Sequence, residues 1–257
     1  MTLVYYKTNG ISFDLRELIG MRFIREKTVV QLTYLPRLFP VNCYMVEEED
    51  GLTLVDAALP NNVKAIIHSA EQIGKPITRI VLTHAHDDHI GALDGLKDLL
   101  PAVQVFISKR DARLLAGDRS LDPNEPNVPI RGGVPKDNKI QTKPDVLLQD
   151  GDKIGSLLAV AAPGHTPGSM AFLDTRNDIL IAGDAFQTRA GVAVSGQMKL
   201  LFPFPAMATW DKLTSLETAR RLRDLKPSLL AIGHGNMVLQ PKGVIEQAIT
   251  EAERALA

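Results

Sequence analysis

The chain is short of several things, and each shortage narrows what it does. It has one cysteine, Cys43, in 257 residues, so no internal disulfide forms, and the apolar neighbours over Val41–Val46 make this residue a buried thiol. Charge of one sign is missing: 29 Lys and Arg face 30 Asp and Glu, for a net charge of -1. Such a balance gives no global field to hold a polyanion, so nucleic acid is not an expected partner. No apolar run approaches the ~20 residues needed to cross a bilayer. The opening MTLVYYKTNG lacks a basic stretch followed by an apolar one and does not begin Met-Gly. No membrane association and a reducing, cytoplasmic location are therefore expected. Repeats and low-complexity tracts are absent.

What is present suits a globular protein. Hydrophobic residues make up 45% and charged residues 23%, enough to build a large core. Residues 1–28 read as an N-terminal extension, in which Phe13, Leu15, Leu18, Ile19 and Phe23 form an apolar face suited to an arm on a second copy in a homodimer. A single domain is expected over 29–257. Strand patterns fall at Val29–Tyr34, Val41–Val46, Leu52–Val55, Ile80–Leu82 and Val103–Ile107, and again at Val146–Leu148, Leu157–Ala161, Met170–Leu173, Ile179–Ile181 and Ser228–Ile232. Helices are predicted from Asn61 or Asn62 to Ile73, then over Ala92–Leu100, Lys109–Leu115, Thr209–Leu225 and Pro241–Leu256. Strand–helix order occurring twice points to an α/β protein, an αββα sandwich. Residues 117–145, with five prolines and three glycines, form a long irregular loop of the kind that covers functional sites. A second irregular stretch runs over 187–205.

The chemistry concentrates in Thr83-His84-Ala85-His86-Asp87-Asp88-His89. Imidazole nitrogen and carboxylate oxygen are natural ligands of zinc and similar ions. On extended chain, His84 and His86 share a side, and a turn into helix near Ile90 carries Asp88 and His89 to a neighbouring position. One segment thereby serves two adjacent ions. Other apolar strands end in Asp56, in Pro163-Gly164-His165, in Gly183-Asp184 and in Gly233-His234-Gly235. Polar groups at strand ends are where rigid sheets carry sites. Of the six histidines, only His68 stands apart, mid-helix and structurally neutral.

This set resembles the metallo-β-lactamase superfamily of hydrolases. The matching residues are Asp56, the His84–His89 segment, Pro163-Gly164-His165-Thr166-Pro167-Gly168-Ser169, Gly183-Asp184 and Gly233-His234-Gly235, in the family's order. The resemblance implies a four-layer αββα sandwich of two mixed β-sheets with helices on the outer faces and metals in the cleft between the sheets. It implies a first divalent ion on His84, His86 and His165, a second on Asp88, His89 and His234, Asp184 bridging both, and Asp56 orienting a ligand histidine. Zinc is the first expectation, with iron or manganese as alternatives. The implied reaction is attack by a metal-bridging hydroxide, with Asp88 as proton shuttle.

A small-molecule substrate is expected: a carboxylic ester, lactone or thioester. A β-lactam, a phosphodiester or nucleic acid, and a non-catalytic metal-binding role are the alternatives. Lactonases of the family carry tyrosine three residues after the bridging aspartate, where this chain has Gln187. Candidate walls are Leu38–Phe39, the 117–145 loop and the stretch from Phe186 to Met207, with Arg131, Arg189 and Lys199 as candidate carboxylate contacts.

Overall fold

The computed structural model describes residues 20–257. The proposed arm at Phe13, Leu15, Leu18 and Ile19 lies outside the described residues. Phe23 does not: it belongs to β1 (Met21–Glu26), which pairs antiparallel with β2 (Val29–Tyr34). The sheet thus begins at Met21, inside the stretch read as an extension. Its mixed polar sequence hid it, because an edge strand buries only part of its surface.

Beyond β2 the first sheet runs through β3 (Val41–Glu47), β4 (Leu52–Val55), β5 (Ile77–Val81), β6 (Gln104–Ser108) and β7 (Val146–Leu148), in sequence order. Pairing is antiparallel to β4 and parallel from β4 to β7. The parallel half needs crossovers. These contain α1 (Val63–Ile73), the single turn α2 (Asp87–Ile90), α3 (Leu93–Leu99) and α4 (Lys109–Leu115). Gly74 closes α1 in a left-handed conformation, φ 80°, as its position after the last apolar residue predicts.

The second sheet contains β8 (Lys153–Ile154), β9 (Leu157–Ala161), β10 (Met170–Asp174), β11 (Ile179–Ile181), β14 (Leu229–Ala231) and β15 (Val238–Leu239), in the order β15-β14-β11-β10-β9-β8. Between β11 and β14 lie the small hairpin of β12 (Phe186–Gln187) and β13 (Ala193–Val194), then α5 (Phe204–Ala208) and α6 (Lys212–Asp224). Asp211 caps α6 by accepting from the Thr214 backbone N–H at 2.8 Å. That cap starts the helix after Thr209 and Trp210, which the sequence pattern had placed inside it, and Leu213 falls on the exposed face. The last element is α7 (Lys242–Leu256).

Strand alternation separates three apolar layers. Val41, Cys43 and Met45 of β3 face outward onto Ile66, Leu93 and Leu114 of the helices. Val46, Val55, Val81 and Phe106 face the other sheet, meeting Leu157, Phe172, Ile181 and Leu229. Leu216, Leu222, Ile245 and Ile249 cover the far face of the second sheet. The molecule is therefore an αββα sandwich, as expected.

One patch between the sheets is polar. Gln31, Asn42 and Tyr44 are buried on the inner face. The Tyr44 hydroxyl donates to the Ile232 carbonyl at 2.6 Å and accepts from the Ile232 N–H at 2.9 Å. Asn42 Nδ2 donates to the carbonyls of Ile232 (2.7 Å) and Gly235 (2.9 Å), and Gln31 Nε2 also reaches Gly235 at 3.0 Å. The strand end that carries His234 is thereby fixed to β3. Tyr44→Phe strands a buried Ile232 N–H without a partner, and is expected to lower unfolding free energy by about 1–3 kcal/mol; urea denaturation of the two proteins checks this.

Candidate metal centre

Each candidate ligand sits just past the end of a strand. His84 and His86 follow β5, and His86 leads directly into α2, which carries Asp88 and His89. His165 follows β9, Asp184 follows β11 and His234 follows β14. The geometry gathers all seven into one cluster. Three overlapping groups offer donor atoms within 4.8 Å of one another: His84, His86 and His165; His84, His89 and Asp184; and Asp88, His89 and His234. Asp184 lies between the outer two groups. Its carboxylate is 3.3 Å from His165 Nε2, 3.4 Å from His89 Nε2 and 3.1 Å from His234 Nε2. Asp88 Oδ2 is 3.4 Å from His234 Nε2. His68 stays apart on the exposed face of α1, beside Glu71 and Gln72.

The outer partners of the rings decide which nitrogen faces in. His86 Nε2 donates to the Arg131 carbonyl (3.0 Å), and His234 Nδ1 to the Pro40 carbonyl (2.7 Å). His89 Nδ1 donates to Asp56 (2.8 Å). His165 Nδ1 meets the Ser195 hydroxyl at 3.0 Å, and His84 Nδ1 meets that of Thr83 at 3.0 Å. A carbonyl or carboxylate partner fixes the proton on the outer nitrogen and leaves a lone pair on the inner one. The inner atoms are His84 Nε2, His86 Nδ1, His89 Nε2, His165 Nε2 and His234 Nε2. Among them, His84 Nε2 and His89 Nε2 are buried with no hydrogen-bond partner, as is Asp184 Oδ1. Buried donors and acceptors are normally paired, so three orphans in one cluster fit residues built to bind a cation. All-nitrogen-and-oxygen donors suit zinc, iron or manganese.

Electrostatics point the same way. Burial drives His84, His86 and His165 toward the neutral, metal-binding form, His165 to about 3. Burial also opposes charge on His89 and His234, but Asp184, with Asp56 and Asp88 beside them, outweighs it and raises both. Burial likewise opposes the Asp184 carboxylate, yet the surrounding imidazoles hold it well below the usual carboxylate range. The acidic half of the cluster demands positive charge, which divalent ions supply.

Close packing leaves room for this only because certain positions lack side chains. A Cβ on Gly233 would collide with Asp184 Oδ1, and one on Gly132, at φ +84°, with His86 Nε2. Asp56 has φ 64°, a conformation that aspartate tolerates better than most residues. It accepts from the Thr83 N–H (2.7 Å) as well as from His89, so it is placed to orient that ring.

Sequence reasoning missed one organiser, Asp111. It is buried on α4 and accepts from the Ala85 N–H (3.0 Å), the Thr166 hydroxyl (2.7 Å) and the Gly168 N–H (2.9 Å). It thus ties the His84–His86 segment to the His165 turn. Burial pushes its carboxyl up to about 6, with those donors pulling it back. The spacing Ser108-to-Asp111, a serine cap on the helix that follows a strand, was the only local signal. Thr83, Ser195 and Thr209, all buried beside ligand rings, gave none.

A cleft of about 490 Å³ opens over the cluster, lined by His86, Asp88, His165, Asp184 and His234 together with Phe39, Leu59, Ile140, Phe204 and Met207. Phe39 and residues of the 117–145 loop form walls, as expected. Of the cations expected there, none lines the cleft. Arg189 donates to the Arg37 carbonyl, Lys199 pairs with Glu251, and Arg131 contributes its carbonyl to His86. The lining cation is instead Lys139.

The sequence profile described as the metallo-beta-lactamase superfamily matches residues 36–234. The YobT protein of Bacillus subtilis is 57% identical over 234 residues, 91% of this chain and 100% of YobT. YflN of the same organism, named a probable metallo-hydrolase, is 29% identical over 214 residues, 76% of this chain and 80% of YflN. The crystal structure of TTHA1623 in a di-iron-bound form is similar at a TM-score of 0.58 and 25% identity, covering 79% of this chain and 91% of that one.

Removing Asp111 leaves the buried Ala85 and Gly168 N–H groups unpaired and takes one of two partners from the Thr166 hydroxyl, which keeps Ser169. Asp111→Ala is expected to destabilise the fold by about 3 kcal/mol and to lower retained metal, read by denaturant titration and by elemental analysis after dialysis.

Proposed function

The chain belongs to the metallo-β-lactamase superfamily and is a metallo-hydrolase; from that premise we propose that it holds two divalent ions and hydrolyses a small carboxylic ester, lactone or thioester. The observation that carries the reading is the set of inward-facing ring nitrogens and carboxylate oxygens, three of them buried without partners. His84, His86 and His165 would hold one ion, and Asp88, His89 and His234 the other, with Asp184 between them. Zinc suits this donor set, and iron, held by the similar TTHA1623, suits it as well.

Such ions, when bound, supply a water that is ionised near neutral pH and positive charge for an oxygen turning negative. The chain's own residues do the rest. Asp88, within 3.4 Å of His234 and partly open to the cleft, holds the proton released from the attacking water and returns it to the leaving oxygen or sulfur. Asp56, Thr83, Ser195 and the carbonyls of Pro40 and Arg131 keep the rings oriented. Phe39, Phe204 and Met207 cover the apolar part of a substrate and exclude water around the scissile bond. An apolar wall with a single cation supports a small carboxylic substrate over a nucleic acid, whose many phosphates call for several cations. A cytoplasmic location remains part of this proposal; among the described residues no helix is long and apolar enough to cross a membrane.

The test is elemental analysis of the purified protein combined with rates on esters, lactones, thioesters, β-lactams and phosphodiesters. Near two ions per chain and carboxylic-ester or thioester turnover are expected. His86→Ala and Asp184→Ala should each lower that rate by more than ~100-fold and reduce bound metal, with the far-ultraviolet dichroism unchanged. Full activity in either variant, or after chelation, rules the reading out.

A further inference from the structure

One cation in the cleft has no part in holding ions. Lys139 is the one Lys or Arg among the residues that line it. Its ammonium lies 2.8 Å from Asp87 Oδ1, and that is its one polar side-chain contact among the described residues. Asp87 stands between His86 and Asp88, both of which face the same cleft. An ammonium carries three donors, so two remain free in a pair whose side chains are 50% and 42% exposed.

Lys139 is not a loose surface lysine, because the loop that carries it is held on both sides to the segment that carries Asp87. On one side, the Asp87 N–H donates to the Gly133 carbonyl at 2.8 Å and His86 Nε2 to the Arg131 carbonyl at 3.0 Å. On the other, Asp94 accepts from the backbone N–H groups of Gln141 (3.0 Å) and Thr142 (2.8 Å) and from the Thr142 hydroxyl. Earlier in the loop, the Trp210 indole holds the Val128 carbonyl at 2.9 Å. Two residues short of the Asp94 clamp, Lys139 therefore has a fixed address beside the ligand cluster. An exposed Lys–Asp pair adds little to stability, so stability alone gives small reason for a cation here.

The geometry points to Lys139 as a specificity-determining residue that receives a carboxylate on the substrate. On the reading proposed above, on which this rests, the substrate is then an ester, lactone or thioester carrying a free carboxylate. Asp87 holds the ammonium in place in the empty cleft, and the substrate's carboxylate takes the free donors. The ions and the apolar wall act on the scissile group and its chain, while Lys139 reads the charged end.

Two measurements on zinc-loaded protein test this. The first compares kcat/KM for phenyl hydrogen succinate, which carries a carboxylate, with that for uncharged phenyl pentanoate. The second compares calorimetric binding of glutarate and pentanoate, which share one carboxylate and differ in the second. The charged member of each pair is expected to win by about tenfold, the worth of one charge-assisted hydrogen bond, through KM in the kinetic pair. Lys139→Met should bring both ratios close to one without loss of zinc, and Lys139→Arg should keep them. Equal binding of glutarate and pentanoate by the wild-type protein overturns the assignment. So does a Lys139→Met protein that keeps both ratios, or one that weakens all four compounds alike, which marks a structural role. If neither ester is cleaved but glutarate keeps its advantage and loses it in Lys139→Met, the ester reading falls and the carboxylate site stands.

Discussion

Five imidazoles and two carboxylates crowd one largely buried space, and the rest of the structure answers to that constraint. Lone pairs that face one another repel, and buried polar atoms without partners are costly. The arrangement persists only because each ring is held from behind. Pro40, Arg131, Asp56, Thr83 and Ser195 take the outer nitrogens and so decide the direction of every inner one. Positive charge in the middle then resolves both the repulsion and the missing partners.

Holding those rings requires the two sheets to be in register with each other, because the ligands are divided between them. An apolar interface sets the sheets at the right separation but is non-directional. The buried Gln31–Asn42–Tyr44 group adds direction, fixing the Ile232–Gly235 backbone against β3 by hydrogen bonds of defined length. Asp111 does the corresponding work on the other flank, between the His84–His86 segment and the His165 turn. Two polar clamps in an otherwise apolar interior therefore align the two halves of the centre.

The cleft shows a similar division between a fixed wall and an open rim. The proline-rich loop over 117–145 lies docked on the body through His86, Asp87, Asp94 and Trp210. The second irregular stretch is mixed. Val194 and Phe202 are buried, Phe204 meets Phe39 and Phe202 edge-on while those two rings lie beside His234, and Leu200 and Leu201 stand 91% and 87% exposed. Apolar residues there neither all pack inward nor all face the substrate; the neighbours of each decide, Val194 packing among the outer helices and Phe202 and Phe204 against Phe39 of the distant β2–β3 turn.

Most of the layer order and the identity of the cluster are readable along the chain. Alternating apolar residues in β2, apolar runs in β3 and β9, and glycine after α1 are local signals with local physical causes, and they were legible. So were His84, His86, Asp88, His89, His165, Asp184 and His234, because each follows an apolar strand and those types bind metal. Short or edge strands such as β1, β8, β12, β13 and β15 were not legible, since a strand of two residues or a half-buried one has too little pattern to read. Long-range packing settles which ring nitrogen faces inward, that Asp111 and Tyr44 act as clamps, and that Lys139 rather than Arg131, Arg189 or Lys199 reaches the cleft. Those outcomes depend on hydrogen-bond partners dozens of residues away, and one position's chemistry cannot reveal which distant carbonyl or carboxylate folding will bring against it.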